Sequence, residues 1–320
     1  MIWAIFLCSM AVSFFIFPLA IPRLKRSGIT GKDLNKPGQP EVAEMGGLVT
    51  VAGFSAGILL IVALKTFAHQ FDMINIQFLL AALCTVLIIV LIGIFDDLLC
   101  IKQWVKAVAP LFAAMPFMAI QAGDSTMVIP FLGQVNFGII YSLVLVPVGF
   151  TVATNAVNML AGFNGLEVGM GVVSMAALSI IAFHLGENTA LIILLAALGA
   201  FIATLRYNWY PAKVFIGDAG TLCIGAIMAS VSIIGNFERA GIIVMIPYAV
   251  DFFIKAKNRF PSTGWEGVYR EGKLYCPEQR VRGLAQLIMK LTGGISEKNL
   301  TLILMGIEAI CGAAAIWLFY

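Results

Sequence analysis

Oxygen-bearing side chains gather at the ends of apolar runs along this chain, and their types suit phosphate and metal chemistry. Asp96 and Asp97 close one such run (Phe95-Asp96-Asp97-Leu98-Leu99). Adjacent carboxylates repel and resist burial, so they belong in water, beside a cation or at a metal. Alone, the pair is most simply a polar stop to a helix. Beside a phosphate-bearing substrate it becomes a metal-site candidate, because hard cations prefer oxygen ligands. Lys106 follows at the start of the next apolar run.

A second block runs from Asn155 to Glu167 and contains Asn158, Gly162, Asn164 and Gly165. Asn155 and Asn158 share a helical face, and the glycines permit a turn in which backbone amides approach a ligand closely. Asparagine both donates and accepts, which suits a nucleobase edge or a magnesium shell. An interhelical hydrogen bond plus a glycine turn is the plainer alternative, but three asparagines and a glutamate so close together weigh against it. In the third block, Asn208-Trp209-Tyr210-Pro211 leads to Val214-Phe215-Ile216-Gly217-Asp218. Trp209 and Tyr210 fit interfacial anchors, whereas a carboxylate at Asp218 is costly at a membrane edge unless it binds something. Last come Lys257-Asn258-Arg259. Cations there serve topology and anionic headgroups, and Lys257 with Arg259 is also a candidate pyrophosphate grip.

The composition says what must position these groups. Of 320 residues, 61% are apolar and 12% charged, with mean hydropathy +0.98 and net charge +3. Soluble domains run near 45–50% apolar and about 25% charged, so a soluble enzyme is excluded. At roughly 20 residues per crossing, the apolar runs predict an all-α polytopic membrane protein with about ten spans. These lie at 2–22, 45–64, 77–95, 106–122, 138–157, 167–184, 189–206, 214–235, 240–256 and 299–319. The first reads as a span and not a cleaved leader, since it has no basic start and Pro18 and Pro22 precede a basic loop. The six scattered cysteines, Cys100 among them, read as packing residues, with neither disulfides nor zinc. Without an internal repeat or linker, residues 1–320 form a single membrane domain. Thr126 to Val135 reads as a small outer β-hairpin between spans four and five.

One orientation collects every Lys and Arg except Lys65 and Arg239 on the inner side. The positive-inside rule then puts both termini outside and the polar blocks at the cytoplasmic face of the cell membrane. His69 and His184 fall outside, so inner-face chemistry runs without histidine. Glu278, in the long basic loop, reads as a solvated charge.

In that order the blocks resemble the polyprenyl-phosphate N-acetylhexosamine-1-phosphate transferase superfamily (glycosyltransferase family 4), and most of all its archaeal and eukaryotic dolichol branch. The likeness extends to Asp33-Leu34-Asn35-Lys36 and Asn299-Leu300-Thr301-Leu302. The bacterial branches carry Asp where this chain has Ala161 and Asn164, and a histidine motif where it has Lys257 to Pro261. The resemblance implies transfer of GlcNAc-1-phosphate from UDP-GlcNAc to dolichyl phosphate, the first membrane step of N-glycan assembly, with magnesium or else manganese. It implies Asn158 and Asp218 as metal ligands and Asp96, Asp97 and Lys106 as catalytic groups. Asn155, Gly162, Asn164, Glu167, Phe215, Lys257, Asn258 and Arg259 become substrate contacts. No nucleic acid is expected, and a homodimer stays open. Another UDP-hexosamine or an undecaprenyl acceptor is the nearer rival. A transporter is the remoter one, since transporters commonly show repeats and midplane polar sites.

Overall fold

A computed structural model of the chain describes residues 2–99, 101–129, 133–261, 263–277 and 280–320. Cys100, Glu278 and the turn of the outer hairpin therefore lie outside the described residues. The helices are α1 (Ile2–Arg26), α2 (Gly47–Ala68), α3 (Ile76–Leu99), α4 (Gln103–Ala113), α5 (Met115–Ala119) and α6 (Val146–Leu160). They continue with α7 (Leu166–Leu185), α8 (Asn188–Asn208), α9 (Gly217–Ile234), α10 (Glu238–Val244), α11 (Ile246–Lys257), α12 (Leu284–Leu291) and α13 (Glu297–Phe319). A π-helical turn, Tyr141–Leu145, leads into α6.

Among the described residues, eight helices are long and apolar enough to cross a membrane: α1, α2, α3, the Tyr141–Leu160 unit, α7, α8, α9 and α13. The two other expected spans are each broken into a pair, α4 with α5 and α10 with α11. Pro116 and Pro247 sit in the first turns of α5 and α11. A proline there has no N–H to give and its ring crowds the carbonyl four residues back, which kinks the helix. The outer hairpin is β3 (Thr126–Ile129) with β4 (Gly133–Asn136), antiparallel with Thr126 opposite Asn136. Two further hairpins were not expected: β1 (Thr30–Lys32) with β2 (Glu41–Ala43), and β5 (Val268–Arg270) with β6 (Lys273–Tyr275). They and α12 fill segments that read as loops.

Burial inverts the pattern of a soluble protein at the periphery. The apolar windows of α8 and α9 are 83% buried, against 22% for α1 and α13, so α8 and α9 form the centre. Trp3, Leu7, Phe15 and Leu19 of α1 are exposed, as lipid-facing side chains should be. Helix α9 packs against α3 and α6. At Gly93 the backbones meet so closely that a Cβ would lie 2.5 Å from the Ala219 nitrogen, the small-residue contact membrane helices use. The chain before α9 is pinned to the chain before α2: Gly46 N–H donates to Phe215 O at 2.8 Å and Phe215 N–H to Ala43 O at 2.8 Å. One end of the bundle thereby holds the starts of α2, α7 and α9. His69 and His184 lie at the far ends of α2 and α7.

Candidate active site

At that end a cavity of about 1040 Å³ opens between α4, α6, α11 and the start of α9. Asp218, on the first turn of α9, lines it. Its Oδ1 accepts from Asn158 Nδ2 at 3.1 Å, and its Oδ2 holds the Lys106 ammonium. Lys106 also pairs with Asp96 Oδ2 at 2.7 Å, so one lysine bridges two carboxylates. Asp97 does something different: its Oδ1 accepts from the Asp218 N–H at 2.9 Å and its Oδ2 from the Ala219 N–H at 3.4 Å. It caps α9 from another helix, satisfying orphan amides and meeting the positive end of the helix dipole. Asn155 donates to Ala107 O at 3.1 Å and Thr151 O at 2.8 Å, which ties α6 to the turn carrying Lys106. Glu44 also borders the cavity, where burial, and then the charge on Asp218, pushes its carboxyl above the ordinary range.

Behind the cavity the remaining motif blocks meet at Asn164, which is only 2% exposed. Its Nδ2 donates to Asp33 at 3.1 Å, and its Oδ1 accepts from Lys36 Nζ at 2.8 Å and Ala212 N at 2.7 Å. Its backbone N–H donates to Glu297 at 2.7 Å and its carbonyl accepts from Thr301 at 3.1 Å. Asn35 spans the Gly162 carbonyl, at 3.2 Å, and the Gly267 amide, at 3.1 Å. Gly162, at φ +131°, must be glycine: a Cβ would sit 2.4 Å from the Trp265 ring.

Residues 79–236 match the glycosyl transferase family 4 model. The chain is 36% identical over 312 residues to a Saccharolobus solfataricus protein, covering 97% of this chain and 94% of that one. That relative is provisionally named UDP-N-acetylglucosamine–dolichyl-phosphate N-acetylglucosaminephosphotransferase. The chain belongs to glycosyl transferase family 4. The Dictyostelium discoideum protein of that same name is 27% identical over 361 residues (95% of this chain, 85% of that one). A phospho-N-acetylmuramoyl-pentapeptide-transferase of Limosilactobacillus reuteri is 30% identical over 259 residues, covering 77% and 78%.

Against the family expectations, the cavity brings together Lys106, Asn155, Asn158, Gly162, Glu167, Phe215 and Asp218. Asp96 and Asp97 stand just behind, acting on Lys106 and on the start of α9. Asn164 is not on the wall; its side-chain amide is taken up by the buried network. Lys257, Asn258 and Arg259 are not on the wall either. Lys257 and Arg259 are exposed; α11 ends at Lys257, and of the turn that follows, with Arg259 and Phe260 at positive φ, it is Phe260 and Pro261 that line the cavity. Asn258 instead donates to Ile254 O at 2.8 Å and Val281 O at 2.9 Å.

The cation that α11 does present to the cavity is Lys255, paired with Asp251 at 2.9 Å. The signal was available in sequence: Asp251 and Lys255 are four apart and share a helical face. Trp209, expected at the membrane interface, packs against Gly165 at the start of α7. Glu308, buried within α13 and accepting from Ser174 at 2.6 Å, and Trp265 on the cavity wall were not anticipated.

Proposed function

We propose that the chain transfers GlcNAc-1-phosphate from UDP-GlcNAc to dolichyl phosphate at the cytoplasmic face of the cell membrane, releasing UMP. One observation carries the reading: a single cavity is lined by both a polar set and an apolar set of side chains. The polar set is Lys106, Asn158 and Asp218, and the apolar set, called the apolar arm below, is Val152, Met245, Ala249, Phe252 and Phe253. A water-soluble anion and a lipid anion can meet in such a cavity. The names of the relatives agree with this substrate pair, and the distribution of Lys and Arg favours the cytoplasmic side.

In the reaction a phosphate oxygen of the lipid attacks the β-phosphorus of the nucleotide sugar. The bond from that phosphorus to the bridging oxygen breaks, and UMP leaves with the electron pair. The nucleophile is already ionised near neutral pH, so no histidine is needed as base. Asp218 and Asn158 would hold the magnesium ion. The fit rests on the donor set, a carboxylate and an amide oxygen without thiolate or imidazole, which suits a hard cation. It rests also on Lys106, whose ammonium seats a positive charge on Asp218. When bound, the ion offsets diphosphate charge. Lys106, bridging Asp96 and Asp218, is placed to shift its charge onto an incoming phosphate. The Phe215 ring offers a stacking face for uracil.

The test is purified protein in detergent with radiolabelled UDP-GlcNAc, magnesium and either dolichyl or undecaprenyl phosphate. Labelled lipid diphosphate with the dolichyl acceptor is expected, and no labelled lipid from either acceptor would refute the assignment.

A further inference from the structure

The structure assigns Lys255 as the residue that receives the phosphate of the lipid acceptor. The inference rests on the transferase reading above and adds to it a contact that the family motifs do not place. Lys255 is only 8% exposed, yet it lines the cavity. A buried ammonium needs partners, and it has two: the Asp251 carboxylate at 2.9 Å and the Met159 carbonyl. An ammonium has three protons to donate and one is given to the Met159 carbonyl, which leaves donors for a ligand.

Position decides which ligand. Lys255 lies on α11, whose Ala249, Phe252 and Phe253, with Met245 just before the helix, give the cavity apolar lining. It comes two residues after Phe253 and belongs to the same helix's polar face with Asp251. An isoprenoid lying in that arm brings its terminal phosphate to the end of α11. The Met159 carbonyl that Lys255 grips follows Asn158, whose amide holds Asp218, on which Lys106 is seated. The two ammoniums thus bind opposite ends of one chain of contacts, Lys106 through Asp218 and Lys255 through Met159. Lys255, on the same helix as the apolar side chains Ala249, Phe252 and Phe253, serves the attacking phosphate, and Lys106, seated on Asp218, serves the nucleotide diphosphate. Lys257, the last residue of α11, and Arg259, just past it, are exposed and off the cavity wall, and take neither part.

The decisive variant is the double substitution Lys255→Met with Asp251→Asn. It removes the ammonium without stranding a buried carboxylate and keeps the acceptor for Leu284 N–H, now 2.7 Å from Asp251. Lys255→Gln, whose amide can still donate to Met159, is the second variant and must show the same split. Steady-state kinetics with dolichyl phosphate varied and then UDP-GlcNAc varied should show KM for the lipid rising on the order of tenfold or more. KM for UDP-GlcNAc, and the Kd of UMP measured without lipid, should stay within about twofold, and Lys255→Arg should recover most of the lipid affinity. An unchanged lipid KM in either variant would overturn the assignment, as would a rise confined to UDP-GlcNAc. Absence of transfer by the wild-type protein would instead strike at the reaction itself.

Discussion

Asp97 meets Asp218 through the backbone: its Oδ1 takes the Asp218 N–H at 2.9 Å, while the Asp218 carboxylate is turned to Asn158 and Lys106. Two carboxylates of one site thus do separate tasks, one setting where the helix begins and the other facing the cavity. Substitution should separate them.

Asp218→Asn keeps shape and removes the charge that would hold the metal. The transfer rate should fall on the order of 100-fold or more, with the melting temperature little changed, because Lys106 keeps Asp96 as its partner and an amide at 218 can still accept. A rate within threefold of wild type would rule out the ligand role.

Asp97→Ala should lower both rate and stability. Two amides at the start of α9 lose their acceptor, and loss of a helix cap costs about 1–2 kcal/mol. Thermal unfolding of the two variants in the same detergent checks the contrast; an Asp97→Ala protein as stable as wild type would contradict the capping role.

Chelation with EDTA should abolish transfer, and added magnesium should restore it. The oxygen-only character of Asn158 and Asp218 motivates this. Full turnover in metal-free buffer would remove the ion from the scheme.

Glu44 gives a pH signature. Burial, then Asp218, raises its folded pKa above the ordinary 4.5, so the folded state holds this proton more tightly than the unfolded one. Its contribution is fully present below pH 4.5 and declines as pH rises through the folded value. Glu44→Gln lacks that decline. In EDTA, its melting temperature should match wild type in acid and exceed it increasingly toward neutral pH. Parallel profiles would refute the claim.

Orientation is testable at exposed sites. In sealed vesicles and a background freed of native cysteines, Lys257→Cys should be labelled from the cytoplasmic side and Asp72→Cys from outside. Reversed labelling would turn the molecule over and with it the cytoplasmic site.

What could be read from sequence follows from physical cost. Asp218 and Asn158 stood out because polar groups at the edge of an apolar run demand a partner, and the structure gives them each other. The broken helices were marked by Pro116 and Pro247, but hydropathy windows average over a kink. Lys255 is hard to see in sequence because nearness to the end of the span points to Lys257, whereas helical rotation sends Lys255 inward and leaves Lys257 exposed. Asn164 looked like a ligand contact because its type suits one. Only the fold shows that Asp33, Lys36, Ala212 and Glu297 take up its hydrogen bonds. Helix α12 was hidden by the basic residues around it.

The contact between Asn164 and Glu297 joins the middle of the chain to its last helix, across a sequence separation of 133 residues. During synthesis, the loop at Gly162 to Gly165 enters the membrane long before its partner has left the ribosome. A nascent chain with α1 to α9 inserted still lacks Glu297 and Thr301, so the Asn164 N–H and carbonyl have yet to meet the partners that brace them.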